Sequence, residues 1–150
     1  METEFAGQFR NVMNTYFSTK KSLYHYISMA EGNYREFLRG ANVKAKKYFY
    51  VLRHVLACRW ILEKGTPPPM RFTELMAAEL PENLLPELEH LLELKMNAPE
   101  IKEIPRIDML NEYLDTSITE IKNLLLDMDD TKKMEWEILN QMFLKFISVN

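Results

Sequence analysis

Apolar residues recur at every third or fourth position through most of this chain, and no stretch alternates apolar and polar long enough to make a convincing strand. A chain patterned this way buries its stripes by packing helix on helix. Composition agrees: glycine is scarce at 4, methionine is common at 10, and Leu, Glu and Lys abound, which favours helices over a turn-rich β fold. The periodicity predicts helices over 4–16, from a cap at Ser18 or Thr19 to Gly40, and over 43–63 behind an Asn42 cap and before Gly65. Gly32 inside the second of these suggests a close packing approach. Thr66-Pro67-Pro68-Pro69 forms a stiff extended link. A short helix capped by Thr73 follows, then one over 82–96 with Pro81 in its first turn. Pro105 opens a helix to Leu126, Asp129-Asp130-Thr131 makes a turn and cap, and a last helix covers 132–147. The fold class is therefore all-α: a single-domain helical bundle of about six helices with short connections, over residues 1–150.

The 150 residues suffice for one core, and 47% apolar with 27% charged residues excludes global disorder. The lone cysteine, Cys58, permits no internal disulfide and fits a reducing, cytoplasmic setting. Met1 to Arg10 lacks the apolar run of a signal peptide. The most apolar stretch, Tyr48 to Leu62, is interrupted by Arg53, His54 and Arg59, which argues against a membrane span. The formal net charge of −3 is unevenly spread: Ser18 to Thr66 carries +7, while Pro67 to Asn150 carries −9. A basic segment inside an acidic chain suggests a local anion site rather than broad affinity for nucleic acid.

Much familiar chemistry is absent. No glycine loop of the phosphate-cradling types occurs, and one cysteine with three scattered histidines builds no local zinc site. Asp127, Asp129 and Asp130 lack the glycine and distal glutamate of a calcium loop and read as a cap and solvated turn. Cys58, between Ala57 and Arg59 in mid-helix, reads as a small buried hydrophobe. Arg53 and His54 are adjacent, not separated by the five to seven residues of a helical ribonuclease pair.

The unusual stretch is 44–60. On a helix Lys46, Tyr50, Arg53 and Trp60 fall near one line, and Lys47, Tyr50 and His54 near another. Bases and rings on one face suit phosphate contact and base stacking. The same residues equally suit a structural role, with aromatic bodies in the core, lysines in solvent and Arg53 paired to Glu31 or Glu36. Arg35 and Arg39, four apart, can face one anion. His25 reads first as a hydrogen-bonded structural histidine.

Three strings, Lys20-Lys21-Ser22-Leu23-Tyr24-His25-Tyr26, Asn33-Tyr34-Arg35-Glu36-Phe37-Leu38-Arg39-Gly40 and Lys46-Lys47-Tyr48-Phe49-Tyr50-Val51-Leu52-Arg53, are followed by Ala57-Cys58-Arg59-Trp60-Ile61, Gly65 and Pro67-Pro68-Pro69-Met70. In that order they resemble the YcgL/RlaP-type predicted nucleotidyltransferases of the DNA polymerase beta superfamily, a bacterial group. The resemblance is dense over 19–75 and thins to helical pattern in the acidic part, 76–150. It implies an α/β catalytic domain carrying a Gly-Ser turn and paired aspartates that hold Mg²⁺ and a nucleoside triphosphate. This chain has no Gly-Ser pair and no Asp-x-Asp after a strand pattern, so it resembles the family's helical C-terminal part without the metal centre. The family pattern has proline where His54 stands, which implies a straighter helix here.

By resemblance, His25, Tyr34, Arg39, Lys47, Tyr50, Arg53 and Arg59 are the positions for substrate or nucleotide-phosphate contact. None supplies chemistry alone. The implied partners are a nucleotide or RNA end, and a separate catalytic domain or a second copy of the chain. The alternative is a helical interaction module binding a partner chain. The two readings differ in where apolar surface stays uncovered: around 19–63 for a catalytic partner, on 105–147 for an adaptor.

Overall fold

A computed structural model of the chain describes the backbone of residues 2–149 and the side chains of 7, 8, 11, 19–127 and 141. Helix α1 spans Glu2–Phe37, strand β1 Asn42–Lys44, helix α2 Ala45–Lys64, α3 Phe72–Glu79, α4 Leu85–Asn97, strand β2 Glu103–Pro105 and helix α5 Asp108–Val149. A 3-10 turn over Glu82–Leu84 leads into α4. The chain is mostly helical, as its period implies, but in five α-helices rather than about six.

Two expected breaks are not there. The backbone stays helical through Ser18 and Thr19, so 4–16 and the following segment form one helix of 36 residues. It also stays helical through 129–131, which merges the last two segments into α5, 42 residues long. Cap residues permit a helix to start but do not compel it. Inside a helix Ser, Thr or Asp costs only about 0.5 kcal/mol, and neither junction contains Gly or Pro. The stripes expected on 4–16 and 132–147 fall, apart from the helical backbone, outside the described residues.

The chain also contains strands. β1 and β2 pair antiparallel, with Asn42 opposite Pro105, Val43 opposite Ile104 and Lys44 opposite Glu103. Each is three residues long with only its middle residue buried, too short to show an alternating period. Further hydrogen bonds bracket the ladder: Arg106 N–H donates to the Ala41 carbonyl at 2.9 Å, and Ala45 N–H to that of Lys102 at 3.3 Å. Asn42 is thus a strand residue and not a cap; Lys44 precedes α2, without a side-chain cap. Likewise α3 starts at Phe72 without a cap from Thr73. Pro105 ends a strand and does not open a helix.

Gly65 does close α2, at φ 67°, a left-handed conformation that side chains resist, with its N–H donating to the Ile61 carbonyl at 2.9 Å. Gly40 lies in a bend without positive φ, and Gly32 is exposed with open space above it, so neither plays its expected part.

The core follows the stripes. Helix α1 buries Leu23, Ile27, Ala30 and Tyr34; α2 buries Val51, Leu52, Val55 and Leu56; α5 buries Leu110, Leu114, Ile118, Ile121 and Leu125. Fully burying one such aliphatic side chain contributes about 1.5–3 kcal/mol. Helix α2 touches α1, α3 and α5, which accounts for its apolar breadth.

Two polar residues, Ser117 and Asn111, are buried among these side chains, and Asn111 joins several elements. Asn111, on α5, donates through Nδ2 to the Leu38 carbonyl at 2.6 Å. Its Oδ1 accepts from the Tyr48 hydroxyl at 2.5 Å, and its carbonyl accepts from the Tyr34 hydroxyl at 3.3 Å. The Tyr48 oxygen in turn accepts the Ile107 N–H at 2.8 Å. Burial raises both phenol pKa values above the ordinary range, which keeps these hydroxyls as donors.

Candidate functional site

The structure sorts the seven candidate residues onto three faces. Lys47 and Tyr50 lie on the side of α2 that meets α1. Lys47 Nζ donates to Asn33 Oδ1 at 3.2 Å and stands 4.2 Å from the Phe37 ring and 5.2 Å from that of Tyr50. Tyr50 packs on His54 with ring centroids 4.4 Å apart. His54 meets the Tyr26 ring at 5.6 Å, and Tyr26 meets His25 at 5.8 Å. These contacts form one continuous ridge from Asn33 to His25 across the α1–α2 seam. The expected line Lys47, Tyr50, His54 is therefore real. Lys46, Arg53 and Trp60 fall beside Tyr50 on the same side of α2, but their side chains go to different neighbours: Lys46 lines a hollow with Phe49, Arg53 donates to the Met70 carbonyl and the Trp60 indole donates to Thr66 Oγ1.

Arg53, three residues beyond Tyr50 on α2, reaches toward the start of α3. Its Nη1 donates to the Met70 carbonyl at 3.0 Å, and its guanidinium lies 5.7 Å from the Phe72 ring. It pairs with neither Glu31 nor Glu36; Glu31 holds Arg35 at 2.7 Å and Lys122 at 2.5 Å. Arg59 reaches α5: its Nη2 donates to Ser117 Oγ at 2.8 Å and Glu120 Oε2 at 3.1 Å, and the guanidinium lies 5.6 Å from the Tyr113 ring. Tyr34 and Arg39 belong to a third face. With Arg35 they line a cavity of about 270 Å³ beside α5, as one-anion binding requires, but Glu31 and Asp115 share that lining.

Helix α2 is unbroken through His54, the position where the resemblance led to an expectation of proline. The ring uses the position: Nδ1 lies 2.7 Å from the Tyr50 carbonyl. A carbonyl only accepts, so Nδ1 carries the proton and a neutral ring leaves Nε2 as an acceptor. Burial lowers the His54 pKa, against the raising effect of that hydrogen bond, with His25 adding to the lowering. The ridge thus offers an ammonium, an imidazole acceptor and two tyrosine rings, and among the described residues no carboxylate ion-pairs with Lys47.

Beside Arg59 a carboxyl pair marks the α2–α3 contact. Burial, then the adjacent Glu63 carboxyl, pushes Glu79 up to about 7, with Lys64 and Arg59 opposing. Glu79 Oε1 and Arg59 Nε are buried without hydrogen-bond partners. Cys58 is fully buried, and burial pushes its thiol up to about 12, as befits a core hydrophobe. Among the described residues no three His, Cys, Asp or Glu side chains are grouped to hold a metal ion, so Mg²⁺ finds no fitting ligand set there. No helix among them is long and apolar enough to cross a membrane.

The model of the RlaP family, described as the RNA repair pathway DNA polymerase beta family, matches residues 1–145. The chain belongs to this family. It is the family that the strings between Lys20 and Met70 resemble. An uncharacterized protein, YcgL, of Bacillus subtilis (strain 168) is 41% identical over 143 residues, which is 95% of this chain and 55% of the relative. The chain thus spans about half the length of the curated relative it matches. No solved structure matches. Membership of RlaP places the chain in a nucleotidyltransferase-like lineage.

Two residues of the ridge, Asn33 and Tyr26, were neither on the helical lines of 44–60 nor among the positions carried over by resemblance, and His54 was on a line but not carried over. Asn33 sits within a family-like string, and Tyr26 reads as part of a core stripe. His54 carried a signal, since it replaces an expected proline. Asn111 also carried one, as a polar residue beside Leu110 within the apolar period of α5.

Proposed function

We propose that this chain is the helical, substrate-contacting part of a nucleotidyltransferase-like protein and is inactive without a metal-binding catalytic domain. The ridge takes the phosphate and base of a nucleotide or RNA end. Lys47 supplies charge to the phosphate, and Tyr50 and Tyr26 supply rings for the base. Neutral His54 supplies an acceptor at Nε2, and His25 extends the ridge. The observation that carries the reading is the unbroken contact path Asn33–Lys47–Tyr50–His54–Tyr26–His25 in the segment of +7 charge. Family membership supports the substrate class. Mg²⁺ bound elsewhere would supply stabilisation of the transferring phosphoryl group; the residues of this chain bind and orient.

The test is titration calorimetry of the chain with ATP and with a short RNA, repeated on Lys47→Glu and Lys47→Glu/Tyr50→Ala. Both changes lie at partly exposed sites, and circular dichroism checks that the fold persists. Binding weakened tenfold or more supports the reading; equal binding in both variants sinks it. The interaction-module reading draws on Leu124 and Leu126, 48% and 61% exposed on α5. Absence of binding at millimolar ligand would favour it. Tyr24 on α1 lines one hollow with Leu126, whereas Met70 before α3, Met96 near the end of α4 and Ile101 before β2 are scattered.

A further inference from the structure

A second concave feature lies apart from the ridge. Between the first turns of α2, the end of α4 and β2 is a cavity of about 510 Å³, within the range that small ligands fill. Its walls are apolar, formed in part by Phe49, Leu94 and Ile104. Four exposed lysines line it, Lys44, Lys46, Lys95 and Lys102, and no acidic residue does. Glu103, which faces Lys44 in the ladder, is not part of the lining. Among the described residues none of these four lysines forms a salt bridge. Lys95 Nζ stands 5.2 Å from the ring of Phe49, and that ring meets Phe72 edge-on at 6.0 Å.

The chain has 22 acidic residues and a net charge of −3, so four lysines around one hollow without a carboxylate are not a consequence of overall charge. Like charges gathered in this way repel, and an anion between them removes the repulsion. One carboxylate would answer one of the four; a phosphate ester brings up to two charges and a polyphosphate more. The apolar wall calls for a ligand with a body as well as a charge. Phe49 offers a half-buried ring on which a planar base can stack.

We propose that this cavity is a binding site for a nucleoside phosphate, with the base against Phe49 and the phosphate among Lys44, Lys46, Lys95 and Lys102. The ligand is a free nucleotide or the 5′-phosphorylated end of a strand. Lys44 borders the ridge, since its ammonium lies 5.5 Å from the Phe37 ring that Lys47 approaches to 4.2 Å, so Lys46 and Lys95 are the residues that test this site separately from the reading above.

The experiment is ¹H–¹⁵N NMR of the whole chain, titrated in separate arms with AMP, ATP, inorganic phosphate, octanoate and a short RNA with or without a 5′-phosphate. The expected result is saturable amide shifts at 44–49 and 94–104 with AMP or ATP, at concentrations where phosphate alone and octanoate give none. Lys46→Glu/Lys95→Glu, two exposed positions, should weaken that binding at least tenfold, and Lys21→Glu, an exposed change on α1 outside the cavity lining, should leave it within twofold. RNA that shifts the same amides only when 5′-phosphorylated would identify the strand end as the source; shifts with free nucleotide alone would identify the nucleotide. Shifts confined to the ridge, equal binding of octanoate, or an unchanged Lys46→Glu/Lys95→Glu variant would each overturn the assignment.

Discussion

Replacing Asn111 by alanine tests whether one buried amide ties α1, α2 and α5 together. The side chain is 8% exposed and makes two short hydrogen bonds, to the Leu38 carbonyl at 2.6 Å and from the Tyr48 hydroxyl at 2.5 Å. Alanine removes both. A net intramolecular hydrogen bond contributes about 1 kcal/mol, and a buried group left unpaired costs about 1–3 kcal/mol. The Tyr48 hydroxyl loses its acceptor but keeps the Ile107 N–H as donor, so its penalty lies at the lower end. With the small cavity added, the loss is about 3–4 kcal/mol, or a fall in Tm of about 8–14 °C for a chain of this length. Urea unfolding followed by circular dichroism reads it as a lower midpoint at unchanged slope. Tyr48→Phe, which removes the donor and leaves Asn111 Oδ1 unpaired, completes a double-mutant cycle. The two losses should fall short of additivity by about 1 kcal/mol or more. A loss below 1 kcal/mol in Asn111→Ala, or strict additivity in the cycle, would refute the idea that this amide is a structural tie.

Glu79 predicts a pH dependence with a definite sign. Its folded pKa, about 7, exceeds the ordinary 4.5, so between those values the folded chain holds a proton that the unfolded chain has lost. Stability from this group is full below 4.5 and falls as pH rises through 7. After discounting for partial exposure, Glu79→Gln should gain about 1 kcal/mol at pH 8 and nothing at pH 4; an equal gain at both, by urea unfolding, would disprove it. Cys58, fully buried with its thiol pushed up to about 12, should resist a disulfide-exchange reagent at pH 8 in the native chain and react at once in urea; prompt native labelling would show the packing of Cys58 against α1 to be wrong.

How much of this was legible depended on the length over which a pattern extends. Leu23, Ile27, Ala30 and Tyr34 repeat over many turns, and their buried face could be read directly. Val43 and Ile104 are single buried residues in three-residue strands, and no period can be defined on one residue. The joins at Ser18-Thr19 and Asp129-Asp130 misled because a capping residue lowers the cost of a start but raises that of continuing by only about 0.5 kcal/mol. In the site, Lys47, Tyr50 and His54 were legible together because spacings of three and four on one helix decide their proximity. The partners of Arg53 and Arg59 were not, since Phe72 follows the proline link and Ser117 lies 58 positions away. Of the cavity lysines only Lys44 and Lys46 lie in the segment of excess positive charge; Lys95 and Lys102 stand in the acidic part, and only the β1–β2 pairing brings Lys102 beside Lys44 and Lys46.

That pairing also determines how the polypeptide is threaded. Val43 and Ile104 are neighbours in space but about sixty residues apart in sequence, so the chain enters and leaves the α2–α4 region through the same clasp. The segment between is a ring closed on itself, with α1 and α5 as the two tails that run out from it. Closing such a ring costs about 3.6 kcal/mol of chain entropy, which three residue pairs do not recover alone. Docking of α2 on α1 and α5 therefore carries most of that cost, and the clasp rests on the helical packing rather than the reverse. Because α2 belongs to the ring, the ring is anchored along one side, and the clasp ties the returning strand β2 to that anchored side.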